Sequence, residues 1–215
     1  MDSDTLWGHI DSQRWALCDL LAGLNEEQWQ QPSLCDDWSV RDVAAHLTFA
    51  QASLGDMFVP LIKAGFRTNV MIGRTAVTSP LNHEEIISTL RGFRGTRRRV
   101  AVVSEKEPLL DILVHSQDIA VPLGIDHPMP ADAAKVALDR VLQLNRRPAM
   151  RLRRPLRGVR LIASDTDWSH GEGESITGPI RWLLMYAAGR EVASRHLSGP
   201  WAQHQSPAHN RRALS

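Results

Sequence analysis

The stretch Glu107-Pro-Leu-Leu-Asp-Ile-Leu-Val-His-Ser-Gln-Asp-Ile-Ala-Val-Pro-Leu-Gly124 predicts a buried helix. Pro108 suits the first helical position, and Pro122 with Gly124 indicates the stop. Between these residues the sequence is apolar on nearly every side, which is typical of a helix inside a protein rather than on its surface. The other predicted elements are arranged around this helix.

Three polar side chains interrupt the apolar run: Asp111, His115 and Asp118. Their spacings of four and three residues place them along one face of the helix. Burying two carboxylates and an imidazole costs free energy unless the groups pair with one another or bind a metal. The helix alone therefore leaves two interpretations open: a satisfied polar cluster, or one half of a metal site whose remaining ligand comes from elsewhere.

The composition is that of an ordinary globular protein of 215 residues, with a net charge of +1 and two cysteines, Cys18 and Cys35. The near-neutral charge gives no general argument for a nucleic-acid partner. The cysteines are far apart and have no metal or redox spacing, so neither a disulfide framework nor an activated cysteine is predicted. No apolar run is long enough to span a bilayer and no signal peptide is recognisable, so we expect a cytoplasmic protein without a membrane partner.

Two further helices follow from apolar residues at helical spacing. One runs from Asp4, taken as its N-cap, to Leu24, and another opens where Asn82 forms a capping pair with Glu85. Together with the buried helix and one more, they predict an antiparallel four-helix bundle. Such bundles build metal sites from side chains that face inward.

The remaining bundle helix begins at Ser39, whose side chain can cap it while Asp42 returns the hydrogen bond. His46 lies at the edge of its apolar stripe, where a bundle helix directs a side chain into the shared interior. Taken alone, His46 fits a hydrogen-bonded core histidine better than a metal ligand.

A second, smaller domain is predicted after the bundle. A helix over 131–145, whose place in the bundle stays open, is followed by a run rich in proline and arginine over 146–157. Alternating and β-branched residues then predict a strand, a turn over 165–173, a second strand and a final helix. The predicted class is α+β, with a helical bundle over 1–147, a small C-terminal α/β domain over 148–202 and a disordered tail over 203–215.

The arginine-rich runs leave one competing interpretation, a transcriptional or RNA-binding role. We expect Arg97-Arg-Arg99 to lie on the exposed face of the helix that opens at Asn82, and the run over 146–157 is interrupted by prolines. Neither run has interleaved aromatic residues or belongs to a recognisable nucleic-acid-binding module. We therefore expect no nucleic-acid partner.

The motifs resemble the mycothiol-dependent maleylpyruvate isomerase family, a DinB-like metalloenzyme family. Trp38-Ser-Val-Arg-Asp-Val-Ala-Ala-His46-Leu is similar to one of its signatures, and Asp111-Ile-Leu-Val-His115-Ser-Gln-Asp118-Ile-Ala is similar to another. In the C-terminal part, Ala163-Ser-Asp-Thr-Asp-Trp-Ser-His-Gly-Glu-Gly173 and Gly189-Arg190 agree with the family's small second domain. The ordered set of motifs extends over almost the whole chain.

The resemblance implies a divalent metal, most often zinc, bound by a histidine, a glutamate and a second histidine. The two histidines match His46 and His115, but the glutamate position is occupied by Asp111, which is one methylene shorter. Aspartate is a competent oxygen ligand, so the resemblance implies a metal set of His46, Asp111 and His115. It also implies that Asp118 orients a ligand and that Arg190 binds a carboxylate of the substrate or cofactor.

The same resemblance implies that mycothiol, the low-molecular-weight thiol of actinobacteria, binds at the open metal position as a thiolate. The thiolate would attack a small electrophile, which makes the protein an isomerase or a thiol S-transferase acting as a monomer or homodimer. The alternative is a non-catalytic DinB-like binding or stress-related protein with a degenerate metal site. The presence of Asp111 at the position of the family's glutamate favours this interpretation. The sequence specifies neither the electrophile nor the metal.

Overall fold

The computed structural model describes residues 1–51, 75–99, 104–145, 156 and 158–199. The chain divides into two compact units, Met1–Pro128 and Met129–Ser215. The first unit is helical and the second combines helices with a three-stranded sheet, so the predicted α+β class is confirmed. The predicted tail over 203–215 and most of the arginine-rich run over 146–157 lie outside the described residues.

In its described residues, the first unit contains four packed helices and one short helix. Helices α1 and α3 each pack against both α4 and α5, so the four enclose a common core. Their bounds are Ser3–Ala22 for α1, Glu26–Gln30 for α2, Val40–Leu47 for α3, His83–Gly92 for α4 and Lys106–Ala120 for α5, and a 3₁₀-helix over Thr48–Gln51 continues α3.

The N-cap of α1 differs from the prediction. Asp2, not Asp4, caps the helix, because its side chain accepts a hydrogen bond of 2.8 Å from the backbone N–H of Thr5. Asp4 lies inside the first turn, where its negative charge faces the positive end of the helix dipole. Both aspartates suit a helix start, and the observed cap satisfies one of the unpaired N–H groups of the first turn.

The predicted capping boxes of α3 and α4 are confirmed. At α3 the side chain of Ser39 accepts from the backbone of Asp42, and the Asp42 carboxylate accepts from the backbone of Ser39 at 3.0 Å. Asn82 and Glu85 make the same pair of contacts at α4. Each box satisfies two donors at a helix start, which fixes where the helix begins. The box at Ser39 therefore sets the register of the helix that carries His46.

Helix α5 is the buried helix predicted at the outset, and it starts slightly earlier than expected. It begins at Lys106, so Pro108 occupies its first turn rather than its first position, and it ends at Ala120 before Pro122. Gly124 takes a φ of +67°, a left-handed conformation that glycine adopts without strain. The apolar residues of α5 that lie in the core include Leu109, Ile112, Leu113 and Ile119.

The described part of the second unit contains α6, three strands, α7 and a 3₁₀-helix. The bounds are Ala131–Asn145 for α6, Val159–Ala163 for β1, Ser169–His170 for β2, Glu174–Gly178 for β3, Ile180–Ala187 for α7 and Glu191–His196 for the 3₁₀-helix. Helix α6 packs against α7, which in turn packs against β1 and β3. The division by contacts therefore falls before α6, whereas the predicted boundary lay after residue 147.

The sheet has the strand order β2-β1-β3. β2 is antiparallel to β1, and β3 is parallel to it, with Leu161 opposite both His170 and Ile176. The segment over 165–173 was predicted to be a turn only, so the prediction missed β2. A strand of two residues is too short to produce a period of alternating polarity, so no sequence pattern indicates β2.

Two glycines let the chain pass from β2 to β3 across the end of β1. Gly171 and Gly173 both have positive φ, and a side chain at either position would collide with the backbone carbonyl of Val159 or Gly158. Only glycine allows backbone to approach backbone this closely in that conformation.

Among the described residues, no helix combines the length and the apolar character needed to cross a membrane.

Candidate metal centre

The packing of α3 against α5 brings three predicted metal ligands together. Nε2 of His46 lies 3.6 Å from Oδ2 of Asp111, and Nε2 of His115 lies 3.4 Å from Oδ1 of the same carboxylate. The rings of the two histidines meet edge to face, with centroids 5.0 Å apart. The carboxylate of Asp111 therefore faces both imidazoles, with one oxygen directed to each.

These separations suit a bound cation. Zinc bonds to nitrogen and oxygen ligands of about 2.0–2.2 Å require tetrahedral ligands to be about 3.3–3.6 Å apart. The two measured contacts fall in this range, and the ligand atoms of His46, Asp111 and His115 all lie within 4.8 Å of one another. The shorter side chain of Asp111 therefore still reaches the position that a three-residue metal set requires.

The cluster is open on the side of the carboxylate. The side chain of Asp111 is 37% exposed, whereas those of His46 and His115 are each 15% exposed. Three protein ligands leave one position of a tetrahedral metal free, as in catalytic zinc sites. The exposure of Asp111 gives a small molecule a direction from which to approach that position.

The two histidines strongly perturb the titration of Asp111. Desolvation by the surrounding bundle would raise the pKa of this carboxyl group. Hydrogen bonding and attraction from His115 and His46 outweigh it and hold the pKa well below its ordinary value. Asp111 is therefore an anion throughout the range in which enzymes work, which is the protonation state that a metal ligand needs.

His115 is held on its other side by Asp118. Nδ1 of His115 lies 2.8 Å from Oδ2 of Asp118, whose side chain is completely buried. Burial would lower the pKa of His115, but hydrogen bonds to Asp111 and Asp118 raise it well above its ordinary value. This contact directs Nε2 of the ring toward Asp111, an arrangement common for histidines that bind metals through one nitrogen and donate from the other.

His46 is positioned differently. Its ring packs at a tilt against Trp38, with the centroids 5.3 Å apart. Nδ1 of His46 is buried and has no hydrogen-bond partner among the described residues. Packing against an aromatic ring, rather than a carboxylate, therefore restricts this second histidine.

Sequence reasoning missed Cys35, which lies next to His115. Sγ of Cys35 is 3.2 Å from Oδ2 of Asp118 and 3.7 Å from Nδ1 of His115. Cys35 and Asp118 are distant in sequence, so no local spacing connects them. The only sequence feature that could have indicated Cys35 is its position just before the Trp38 motif. The fold places the loop that carries Cys35 against α5.

The loop that carries Cys35 also borders a cavity. Residues between Gln30 and Ser39 line a space of about 370 Å³, and the cavity wall includes Cys35 and Trp38. These two residues contact the His115 side and the His46 side of the cluster, respectively. One loop thus contributes a neighbour to each histidine of the candidate site.

Arg190, the predicted carboxylate-binding residue, belongs to the second unit. It precedes the 3₁₀-helix, and its Nη1 donates a hydrogen bond of 2.7 Å to the backbone oxygen of Ala188. The side chain is partly buried. Its predicted role stays a prediction, as do the metal-ligand roles of His46, Asp111 and His115 and the orienting role of Asp118.

Residues 11–101 match the family model described as the mycothiol maleylpyruvate isomerase N-terminal domain. This match confirms the resemblance to the family that the sequence motifs indicated. The matched region contains α3 with His46 and ends before α5, so it covers one of the two helices that form the site.

Two solved structures have a similar fold. One is the crystal structure of the mycothiol-dependent maleylpyruvate isomerase, with a TM-score of 0.62, 12% identity and 94% coverage of each chain. The other is a histidine-to-alanine mutant described by the same name, with a TM-score of 0.63, 12% identity and the same coverage. At this identity the likeness concerns the fold. No curated protein matches the sequence.

Proposed function

We propose that this protein is a metal-dependent enzyme that uses mycothiol, or a closely similar small thiol, to attack a small electrophile. His46, Asp111 and His115 would hold the metal. The observation that carries the proposal is the separation of 3.4–3.6 Å between the Asp111 oxygens and the two histidine nitrogens. The match of residues 11–101 to the family model of the mycothiol maleylpyruvate isomerase N-terminal domain supports the choice of thiol.

A divalent metal held by these residues, most simply zinc, would deprotonate a bound thiol and keep it as a thiolate near neutral pH. The chain's own residues prepare the site for it. Asp118 fixes the ring of His115 so that Nε2 faces Asp111, and Trp38 restricts the ring of His46. The anionic Asp111 supplies the charge that favours a cation at this position.

The reaction class follows from thiol chemistry. A thiolate that adds to an activated cis double bond allows rotation, and its elimination then gives the trans isomer. A thiolate that adds to another electrophile and stays attached gives an S-transferase product. We propose that Arg190 binds a carboxylate of the substrate or cofactor, since guanidinium groups hold carboxylates through paired hydrogen bonds.

The test of the metal claim is elemental analysis of the purified protein, combined with zinc titration of the chelator-treated protein. Variants H46A and H115A should each lose most of the bound metal, because each removes one of three ligands. The matched control is H83A, since His83 stacks on Trp29 and contacts Glu26 instead. Metal content that is unchanged in both site variants would overturn the proposal.

The second candidate is a non-catalytic binding protein built on the same bundle. Its support is Asp111 at a position where the family pattern has glutamate. The two candidates differ in thiol binding: an enzyme should bind a small thiol when zinc is present and lose that binding in H46A. Tight zinc binding without zinc-dependent thiol binding would instead support the non-catalytic binding protein.

A further inference from the structure

We propose that Cys35 is a positioning residue of the metal site, acting through Asp118 on His115. The inference rests on the proposed metal function and adds a residue to which neither the motifs nor the family match assigns a role. The thiol of Cys35 would hold the Asp118 carboxylate in place, and that carboxylate would hold the His115 ring with Nε2 toward Asp111.

The contacts converge on a single oxygen atom. Oδ2 of Asp118 lies 2.8 Å from Nδ1 of His115 and accepts a hydrogen bond from the Cys35 thiol at 3.2 Å. The side chain of Asp118 is fully buried, so water does not reach this oxygen. A buried carboxylate depends on donors from the protein, and removing one leaves it less well held.

The backbone also holds Cys35 in place. The N–H of Leu34 donates to the backbone oxygen of Asp118 at 3.0 Å, so the loop is attached to α5 at the same residue as the thiol. A further backbone bond of 2.9 Å, from Ser33 to Trp38, closes the loop. Asp37 within it has a φ of +63°, a strained conformation for a residue other than glycine that persists only where the surroundings enforce it.

The geometry assigns Cys35 to this supporting role rather than to the metal. Its Sγ faces Nδ1 of His115, whereas Nε2 of the same ring faces Asp111. The 2.8 Å between Nδ1 and Oδ2 is a direct hydrogen-bond distance, shorter than the roughly 3.3 Å that two ligands of one zinc ion require. Cys35, His115 and Asp118 therefore form a hydrogen-bonded set beside the metal position, not a second metal site.

The experiment uses cobalt(II) as a spectroscopic substitute for zinc in the full-length protein without added thiol. Variant C35A should weaken cobalt binding about tenfold, the lower end of what supporting partners of metal ligands contribute. Variant C35S keeps a donor and should restore affinity to within about threefold of wild type. The control C18A removes a buried thiol that contacts α4 at Ile87, and it should leave cobalt affinity unchanged.

The cobalt spectrum separates support from ligation. A positioning role predicts no thiolate-to-cobalt charge-transfer band in the wild-type protein. A band that disappears in C35A would make Cys35 a ligand and overturn the proposal. Equal cobalt affinity of C35A and wild type would overturn it as well.

A metal-free measurement keeps the test independent of the proposed function. The Nδ1–H proton of His115 is shielded by the buried Asp118, so its NMR signal should be visible in wild type and C35S. It should broaden or vanish in C35A, because a loosened carboxylate no longer protects it from exchange. If wild type binds no cobalt, the proposed function fails, and this signal still decides the role of Cys35: an unchanged signal in C35A overturns it.

Discussion

Nε2 of His46, on α3, lies 3.6 Å from Oδ2 of Asp111, on α5. The separation is longer than a good hydrogen bond and close to the distance between two ligands of one zinc ion. The relationship joins two helices that are far apart in the chain. It makes the contact between α3 and α5 the part of the fold on which the proposed metal binding depends.

Lengthening the carboxylate should weaken the site rather than improve it. Variant D111E moves the carboxylate about 1.5 Å further from the helix, away from a position where both oxygens already face a histidine. We expect zinc affinity to fall about tenfold in D111E and further in D111A, which removes the charge as well. Competition with a chelating dye measures both. Tighter zinc binding by D111E would show that aspartate is the weaker ligand here.

Zinc binding should release protons and become tighter as the pH rises. Hydrogen bonds to Asp111 and Asp118 raise the pKa of His115 despite its burial, so the metal-free protein keeps its imidazolium well above about pH 6.5. A metal must displace that proton. Isothermal titration in two buffers with different ionisation enthalpies should give different apparent heats, and identical heats would contradict the prediction.

The raised pKa of His115 also affects how the stability of the metal-free protein depends on pH. Its raised pKa means that the imidazolium of His115 contributes stability that is fully present below the unfolded-state pKa of about 6.5. This contribution is lost as the pH rises through the folded-state pKa. In chelator-treated protein, the difference in unfolding free energy between wild type and H115A should therefore shrink with increasing pH in urea titrations.

Neutralising Asp118 should weaken metal binding without removing a ligand. Variant D118N keeps an oxygen near His115 but loses the charge, and we expect zinc affinity to fall about 10- to 100-fold. The matched control is D139N, since Asp139 accepts a hydrogen bond of 3.1 Å from Trp168 within the second unit. Equal losses in both variants would point to general destabilisation instead.

The cap of α3 should matter for stability and for metal binding. Variants S39A and N25A each disrupt a capping box, at α3 and α2 respectively, and each should lower the unfolding free energy by about 1 kcal/mol. Of these two helices, α3 carries the candidate ligand His46 and α2 carries none of the candidate ligands. Zinc affinity should therefore decrease in S39A and stay unchanged in N25A, as measured by urea unfolding and zinc titration of both proteins.

The two cysteines should differ in reactivity. Burial raises the pKa of Cys18 to about 11, so only about one molecule in a thousand carries the thiolate at pH 8. Cys35 is half-buried and borders the loop cavity. Iodoacetamide should modify Cys35 in the native protein and Cys18 only after unfolding, as peptide mass spectrometry would show. Labelling of both at equal rates would contradict the structure.

The elements that sequence predicted best were those specified by local chemistry. The capping boxes at Ser39 and Asn82 lie within four residues of chain, and the apolar run of α5 marks a helix surrounded by core. The spacing of Asp111, His115 and Asp118 placed them on one helix face. These features depend on neighbours in sequence, so they are readable before any packing is known.

The features that sequence missed depend on contacts between distant segments or on very short elements. Cys35 reaches Asp118 only because the loop before α3 packs against α5, and no pattern in either segment reveals this. The division before α6 likewise follows from the packing of α6 against α7. β2 has only two residues. Asp2 and Asp4 both have side chains that can cap a helix, so sequence alone did not identify which of them caps α1.

The order of the three polar residues on α5 restricts how this stretch can change during evolution. Each added or deleted residue turns the rest of an α-helix by about 100°. A single insertion between Asp111 and Asp118 would therefore rotate one carboxylate away from the histidine that both now contact. Relatives that retain the cluster should differ in this segment by substitution while keeping its length unchanged.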